Sequence, residues 1–476
     1  MSAQRPAHIE SLRAWLCLSC VASSMLAGCA TAPLPDLAMP LPSQWGAGTT
    51  VAAPAPDLHS WWRRFADPEL DGLIDQALVQ NLDVATAVER LRAARALYGS
   101  PDAPFRPSLH ARTDDPVDPD ASASFFVAGF DSVWELGLFG RRQAKARAGQ
   151  GQIDAAIASL REARVSLTAE VVRNWIDLRA AQQRIRLLTR IRDQRRHSLQ
   201  LLDLRAGLHL AAPEQVAQAQ AAAAVAEGAL SEPRQAVNAA SRRLALLLGH
   251  AEPDPAWLQT DRLPKVGSAT LSMVPADLLR TRPEIARAQA DVLRAAGELG
   301  IAHADLYPRI ALGGSIEWST KALSHRRAPA NRIAAFGPII DIPLFDWGLR
   351  QARVHAEDHL LKASVLGYRK AVMTGVAEVE TSLGNLAEQR QREAASAQAW
   401  DALKRVAHGQ VTRQHLGLAD GMAVADAAIA RDQAGIAMLD ARAAHDLAYV
   451  ALYKALGGAP APNHRIAASP GPGDDD

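Results

Sequence analysis

Phe126-Val127-Ala128-Gly129-Phe130-Asp131-Ser132-Val133-Trp134-Glu135-Leu136-Gly137-Leu138 has a period of two. Phe126, Ala128, Phe130, Trp134, Leu136 and Leu138 fall on one face of an extended strand, and Gly129, Asp131, Glu135 and Gly137 on the other. One face is oily and one is polar. Upstream, Phe105, Pro107, Leu109 and Ala111 alternate with Arg106, Ser108, His110 and Arg112, which makes a partner strand. The pattern returns at Ile310, Leu312, Ile316 and Trp318, then at Phe336, Pro338, Ile340, Ile342 and Leu344, with Asp341 on the polar side. A half-buried hairpin of a soluble domain shares this alternation. Strands of about ten residues with aromatics on the outer face also match a transmembrane β-barrel, whose lumen Asp131, Glu135 and Asp341 then face. Four strands cannot close a barrel, and hydrocarbon does not tolerate an unpaired edge, so several copies must pool their strands. Two copies give about eight strands and a bore filled by side chains, whereas three give about twelve and an open lumen. A homotrimer is favoured.

Residues 140 to 206 contain no proline, and Ile153, Ile157, Leu160, Leu167, Val171, Leu178, Ala181, Ile185 and Leu188 alternate at three and four. This is a coiled-coil stripe, interrupted at Arg164 and Asn174. At 1.5 Å rise such a helix is a rod on the order of 100 Å long. A second runs from Gly348 to Gln414, and alanine-rich returning helices are expected over Glu214 to Leu248 and Gly421 to Leu456.

The chain is two copies of one unit. Asn81-Leu82-Asp83-Val84 matches Arg282-Pro283-Glu284-Ile285, and Phe105-Arg106-Pro107-Ser108-Leu109 matches Leu306-Tyr307-Pro308-Arg309-Ile310, both at an offset of 201. The block from Trp134 to Phe139 matches Ile340 to Phe345 at 206, Gly207-Leu208 matches Gly417-Leu418 at 210, and Leu248-Gly249 matches Leu456-Gly457 at 208. Gly207 to Gly249 spans 42 positions and Gly417 to Gly457 spans 40, which predicts a first tip two residues longer, with Pro213 in it.

Charge identifies no ligand: 52 basic against 51 acidic residues in 476 argues against a nucleic-acid partner. Arg5 and Arg13 precede a short apolar stretch, Ala14 to Met25, that ends in Leu26-Ala27-Gly28-Cys29. This resembles the lipobox of bacterial lipoproteins, which implies cleavage after residue 28 and a lipid on Cys29. Ala30 follows instead of Asp, which in such lipoproteins favours sorting to the outer membrane. Cys17 and Cys20 lie in the segment to be removed, so the mature chain keeps Cys29 alone and no internal disulfide is possible. Residues 29–66 are rich in Pro, Ala and Gly and read as an extended tether without a core of its own. Asp67-Pro68-Glu69-Leu70 then starts a helix, with Asp67 as N-cap and Trp61, Trp62 and Phe65 packing under it.

His355 and His359 stand one helical turn apart, a spacing a zinc site uses. Glu357 is not where a metalloprotease motif needs its base, no third ligand is near, and a solvated helix face accounts for them better. Asp114, Asp115, Asp118 and Asp120 lack the Gly and terminal Glu of a calcium loop. There is no phosphate loop and no nucleophile elbow. No enzyme, cofactor or resident metal is expected.

The blocks from Trp134 to Arg141 and from Pro343 to Gly348, together with Arg282-Pro283-Glu284-Ile285, Tyr307-Pro308 and the run from Leu452 to Gly458, resemble the outer-membrane efflux lipoproteins of the NodT and OprM type. The resemblance implies a mainly α fold with a β-barrel: a trimer closing a twelve-stranded barrel above a periplasmic helical tunnel. It implies the exit duct of a tripartite efflux system, working with a periplasmic adaptor and an inner-membrane transporter of the resistance-nodulation-division class and passively conducting drugs or metal ions. It further implies a periplasmic gate of acidic residues on the second tip, where Asp420 and Asp426 are the candidates, although Asp420 suits an N-cap equally well. Tyrosines that family tips usually carry are missing before Gly207 and Gly417, and the first hairpin is short. A type I secretion duct shares the fold but usually lacks the lipobox. A non-conducting periplasmic coiled-coil lipoprotein does not explain the strands. The expected division is a signal peptide (1–28), a tether (29–66), a first repeat (67–266), a second repeat (267–458) and a disordered tail (459–476).

Overall fold

A computed structural model of the chain describes residues 34–46, 57–114, 125–259, 262–266, 277–321 and 331–460. In chain order its elements are α1 (Pro68–Gln80), α2 (Leu82–Tyr98), β1 (Ser108–Asp114), β2 (Phe125–Glu135), α3 (Arg141–Gly207), α4 (Pro213–Gly228), α5 (Ser231–Leu247), α6 (Pro283–Ala304), β3 (Arg309–Lys321), β4 (Asn331–Asp341), α7 (Leu349–His415) and α8 (Gly421–Ala455). They belong to two compact units. One comprises the chain up to Ala38 with Leu91–Ala156 and Arg287–Arg369, and the other comprises Met39–Arg90, Ile157–Ala286 and the chain from Lys370 on. Each unit takes pieces from both sequence repeats.

The first unit holds a four-stranded antiparallel sheet in the order β1-β2-β3-β4. Its strands are shorter than the alternation alone suggests. Phe105 lies in a 3-10 turn over Ala103–Phe105, and β1 begins only at Ser108, after Pro107. At the other end β2 stops at Glu135, because the backbone turns at Gly137 (φ +59°). A Cβ there would stand 2.6 Å from the Phe105 ring. β4 stops at Asp341, so Ile342 and Leu344 lie in the turn, where Pro343 has no N–H for a ladder bond. Beside the sheet, α6 packs on the start of α3 with backbones nearly touching. A Cβ on Gly297 would lie 2.4 Å from the Ala148 nitrogen, and one on Gly151 2.6 Å from that of Arg294.

In the second unit, Asp67 caps α1 as expected, accepting from the backbone nitrogens of Glu69 and Leu70. Its other oxygen accepts from Trp175 Nε1 at 2.8 Å. Trp175, Ile176, Leu178, Leu70, Ile74, Tyr449 and Tyr453 are fully buried in this unit. The interruptions of the α3 stripe, Arg164 and Asn174, are buried as well, and Asn174 Nδ2 turns back to the Glu170 carbonyl at 2.7 Å. The tether is not wholly without a core. Trp45 is buried, and the Gly46 nitrogen donates to Glu380 at 2.7 Å.

The long helices α3 and α7 both have 67 residues. Positive φ angles occur at Phe139, Gly140, His209 and Gly249 in one half, and at Trp347, Gly348, Gly417 and Gly457 in the other. These pairs share one offset of 208. The match of Gly207 to Gly417 at 210 is therefore wrong: Gly207 is the last residue of α3, and His209 holds the left-handed position of the first tip. The tips are equally long, since His209 to Gly249 and Gly417 to Gly457 both span 40 positions. The single returning helix expected over Glu214 to Leu248 is also broken, into α4 and α5. Pro233 has no N–H for the Ala229 carbonyl, and the Leu230 nitrogen bonds Glu227 three residues back, at 3.2 Å. α8 carries Ala441 at the matching position and runs unbroken.

Candidate functional site

Residues directly opposite each other in a sheet share a face. Phe130 lies opposite Ile316 and Ala111, Trp134 opposite Leu312, and Ile310 opposite Ile340, so one face of the sheet is mainly apolar, with Thr113, Ser132 and Arg332 as its polar members. It is also uncovered: Phe336 is 84% exposed and Ile340 55%. Trp134 and Trp318 lie toward opposite ends of this face, six residues apart along β3, which is roughly 20 Å. Aromatics at both rims of an exposed apolar band are what a bilayer requires.

The opposite face carries His110, Arg112, Asp131, Glu135, Ser315 and Glu317. Arg112 Nε lies 3.7 Å from Asp131, and Arg141 Nε lies 3.1 Å from Glu135. Asp341 stands opposite Arg309. The sheet thus brings Asp131, Glu135 and Asp341 onto one polar surface with basic partners. Below it, Arg141 also pairs with Asp305, which accepts from Arg309 at 2.8 Å. Burial opposes the charge on Asp305, yet these two arginines hold its carboxyl below the ordinary range.

At the tips, Asp420 is the N-cap of α8 and accepts from the Ala423 nitrogen at 2.9 Å. It also meets Arg205 Nη2 at 2.9 Å. Asp426 lies 3.8 Å from Arg195. Both acids are therefore paired with the end of α3, a relation not legible in the sequence. At the offset of 208, Arg413 and Ala212 take the places of Arg205 and Asp420, so the first tip has no acid there. Ala212 has no side-chain cap to offer, and Gln215 Oε1 accepts from its nitrogen at 3.1 Å.

Among the described residues no cluster of three or more His, Cys, Asp and Glu could hold a metal ion. His355 Nε2 contacts Gln351 at 3.3 Å, and Asp358 binds Lys362 at 2.7 Å. Cys29, Asp115, Asp118, Asp120 and residues 461–476 lie outside the described residues. Two buried acids escaped the sequence reading. Asp432 is fully buried with Arg190 at 3.2 Å and Arg431 at 2.9 Å, and Asp446 is buried with one oxygen unpartnered. Nothing in a helical stripe of alanines announces a buried acid.

A sheet with one lipid-compatible face, one charged face and two open edges, carried on helices of 67 residues, defines a class: the subunit of a duct through an outer membrane, completed by further copies. The chain belongs to the outer membrane efflux protein family, whose model matches residues 73–250 and 274–458. It is 28% identical over 470 residues to the pyoverdine export outer membrane protein OpmQ of Pseudomonas aeruginosa, covering 93% of this chain and 96% of that one. To nodulation protein T of Rhizobium leguminosarum bv. viciae it is 28% identical over 355 residues, 72% of each chain. The solved outer-membrane channel OprN superposes with a TM-score of 0.75 at 28% identity, over 90% of this chain and 99% of that one. The protein is thus an outer-membrane efflux channel.

Proposed function

We propose that the chain is a passive duct for small molecules, such as drugs or metal ions, with no catalytic step of its own. Cys29 carries its lipid anchor, Asp131, Glu135 and Asp341 line the barrel lumen, and Asp420 and Asp426 form the periplasmic constriction. The observation that carries this reading is the two-faced sheet with open edges: its charged face suits water and its apolar face suits lipid. A wide lumen lined by acids and arginines touches cargo without enclosing it, so specificity rests with the transporter, which we place in the resistance-nodulation-division class. Reconstitution in planar bilayers tests the reading. Stable conductance from purified trimer, together with lowered drug or metal susceptibility when adaptor and transporter are co-expressed, is expected. Export of a polypeptide with an ATP-driven partner, and no effect on small molecules, would overturn it in favour of a secretion duct.

A further inference from the structure

Between α5 and α6, residues 248–259 and 262–266 of the linker form no strand and only one 3-10 turn, Pro255–Leu258. Backbone without a ladder must find other partners, and here it borrows side chains of the second unit. On α3, Gln182 Nε2 donates to the Trp257 carbonyl at 2.8 Å and Arg179 Nη1 to the Gln259 carbonyl at 2.7 Å. α8 holds the next stretch. Arg442 Nη2 donates to the carbonyls of Leu263 and Pro264 at 3.1 and 3.2 Å. One turn on, Asp446 Oδ1 accepts from the Val266 nitrogen at 3.3 Å. Leu263, Pro264 and Val266 are buried, whereas Arg262 and Lys265 are exposed, so the linker lies on the unit as a strap with one face inward.

The two fastenings on α8 differ in kind. Arg442 keeps its charge at any pH of interest, but Asp446 is 1% exposed, and its Oδ2 has no partner. A buried neutral carboxyl leaves one hydroxyl unpaired, whereas a buried carboxylate leaves a charge, which is far costlier. Arg442 on its own helix and Lys265 on the strap attract that charge, and Glu393 on α7, 2.7 Å from His445 Nδ1, repels it. The first half lacks the device. At the offset of 208, Asn238 stands where Asp446 does, exposed and accepting from Arg242 Nε at 2.9 Å. A titratable group thus stands only in the half on which the strap lies.

We propose that Arg442 and Asp446 form a proton-operated clasp on this strap: with Asp446 protonated the linker is fastened to α8, and ionisation of Asp446 loosens it. Loosening exposes Asp446 to water, where it ionises as an ordinary carboxyl, so the fastened form holds a proton that the loosened form gives up. Burial raises the carboxyl to about 7, against the Val266 bond and the pull of Arg442 and Lys265. Fastening is therefore full below the ordinary value of 3.8 and weakens by at most about tenfold per pH unit above it. It levels off once pH passes about 7, where both forms are ionised.

Amide-resolved hydrogen exchange of the whole detergent-solubilised protein between pH 5 and 8, corrected for the intrinsic rate, tests the clasp. Val266 protection should fall by on the order of 100-fold from pH 5 to 7 and then level. In dilute urea its rate should hardly change, whereas that of Ile176, fully buried in α3, should rise, which marks the strap as opening by itself. Asp446→Asn keeps the acceptor and cannot ionise, so Val266 protection should become independent of pH. Arg442→Gln removes two strap bonds and a cation, so protection should drop at every pH and level off at a higher one. A flat Val266 profile in the unsubstituted protein, or a slope that survives Asp446→Asn, overturns the proposal. Val266 exchanging at the rate and with the urea dependence of Ile176 also overturns it, because the strap then opens only when the whole unit unfolds.

Discussion

Arg205 Nη2 lies 2.9 Å from Asp420 Oδ2, while Asp420 Oδ1 accepts from the Ala423 nitrogen at 2.9 Å. One carboxylate therefore caps α8 and ties it to the end of α3. The Ala423 N–H first, and then Arg205, hold the Asp420 carboxyl below the ordinary carboxylate range. Its contribution to the tip is present above the usual carboxylate pKa and is lost only as pH falls through the lowered one.

Asp420→Asn keeps most of the cap and deletes the charge, whereas Asp420→Ala deletes both, at a cost of about 1 kcal/mol in α8. If Asp420 belongs to the constriction, both variants lower cation preference and alter the resting conductance in bilayers. If Asn leaves conductance unchanged and Ala only lowers thermal stability, Asp420 is a cap and the gate lies elsewhere.

Asp446 should make stability fall with rising pH. It is buried, its Oδ1 accepts from the Val266 nitrogen at 3.3 Å, and its Oδ2 has no partner. Burial raises its pKa to about 7, against the pull of Arg442 and Lys265. Between the unfolded value of 3.8 and about 7 the folded state holds the extra proton. Stability from this group is therefore full below the first value and lost as pH rises through the second, at about 1.4 kcal/mol per pH unit at most. Asp446→Asn, which cannot ionise, should flatten that slope and be the more stable form at pH about 8. Parallel pH profiles of thermal unfolding for the two proteins would show that Asp446 is charged in the fold.

Strand faces and helix limits were legible because they rest on periodicity: every cross-strand pair along β2 and β3 keeps the parity seen in the residues. Asp67-Pro68 marked its helix start because the cap is chemical and local. The tip register was not legible, because His209 does what glycine usually does, and histidine enters the left-handed region often enough to hide the turn. The break before Pro233 was masked by the alanines around it. The ion pairs of Asp420 and Asp426 join residues about 200 positions apart, and only tertiary packing brings these together.

Cys29 should carry a diacylglyceryl group as the first residue of the mature protein. A myristoyl-sized chain alone binds membranes marginally. Here the barrel fixes the protein, so Cys29→Ser should leave trimer assembly intact while abolishing the lipid mass at the N-terminus. Mass spectrometry of the mature chain that finds an unmodified N-terminus at another position would remove the lipoprotein reading.

Trp61 should be among the most costly side chains to remove outside the duct surfaces. It is 1% exposed, stacks on Tyr453 at 5.4 Å and 22°, and donates from Nε1 to the Gly458 carbonyl at 3.3 Å. It thereby binds the chain just before α1 to the end of α8. A Cβ on Gly458 would stand 2.9 Å from the Trp61 ring, so no larger residue can follow α8 there without displacing the indole. Trp61→Ala removes the ring and leaves a cavity, for about 3–5 kcal/mol. Trp61→Phe keeps an aromatic face on Tyr453 but loses ring area and leaves the Gly458 carbonyl without its donor, a loss of about 1 kcal/mol for the hydrogen bond. Denaturation of the detergent-solubilised protein should rank wild type above Phe above Ala. Equal stability of Phe and Ala would mean that the hydrogen bond, not the stack, holds the two ends together.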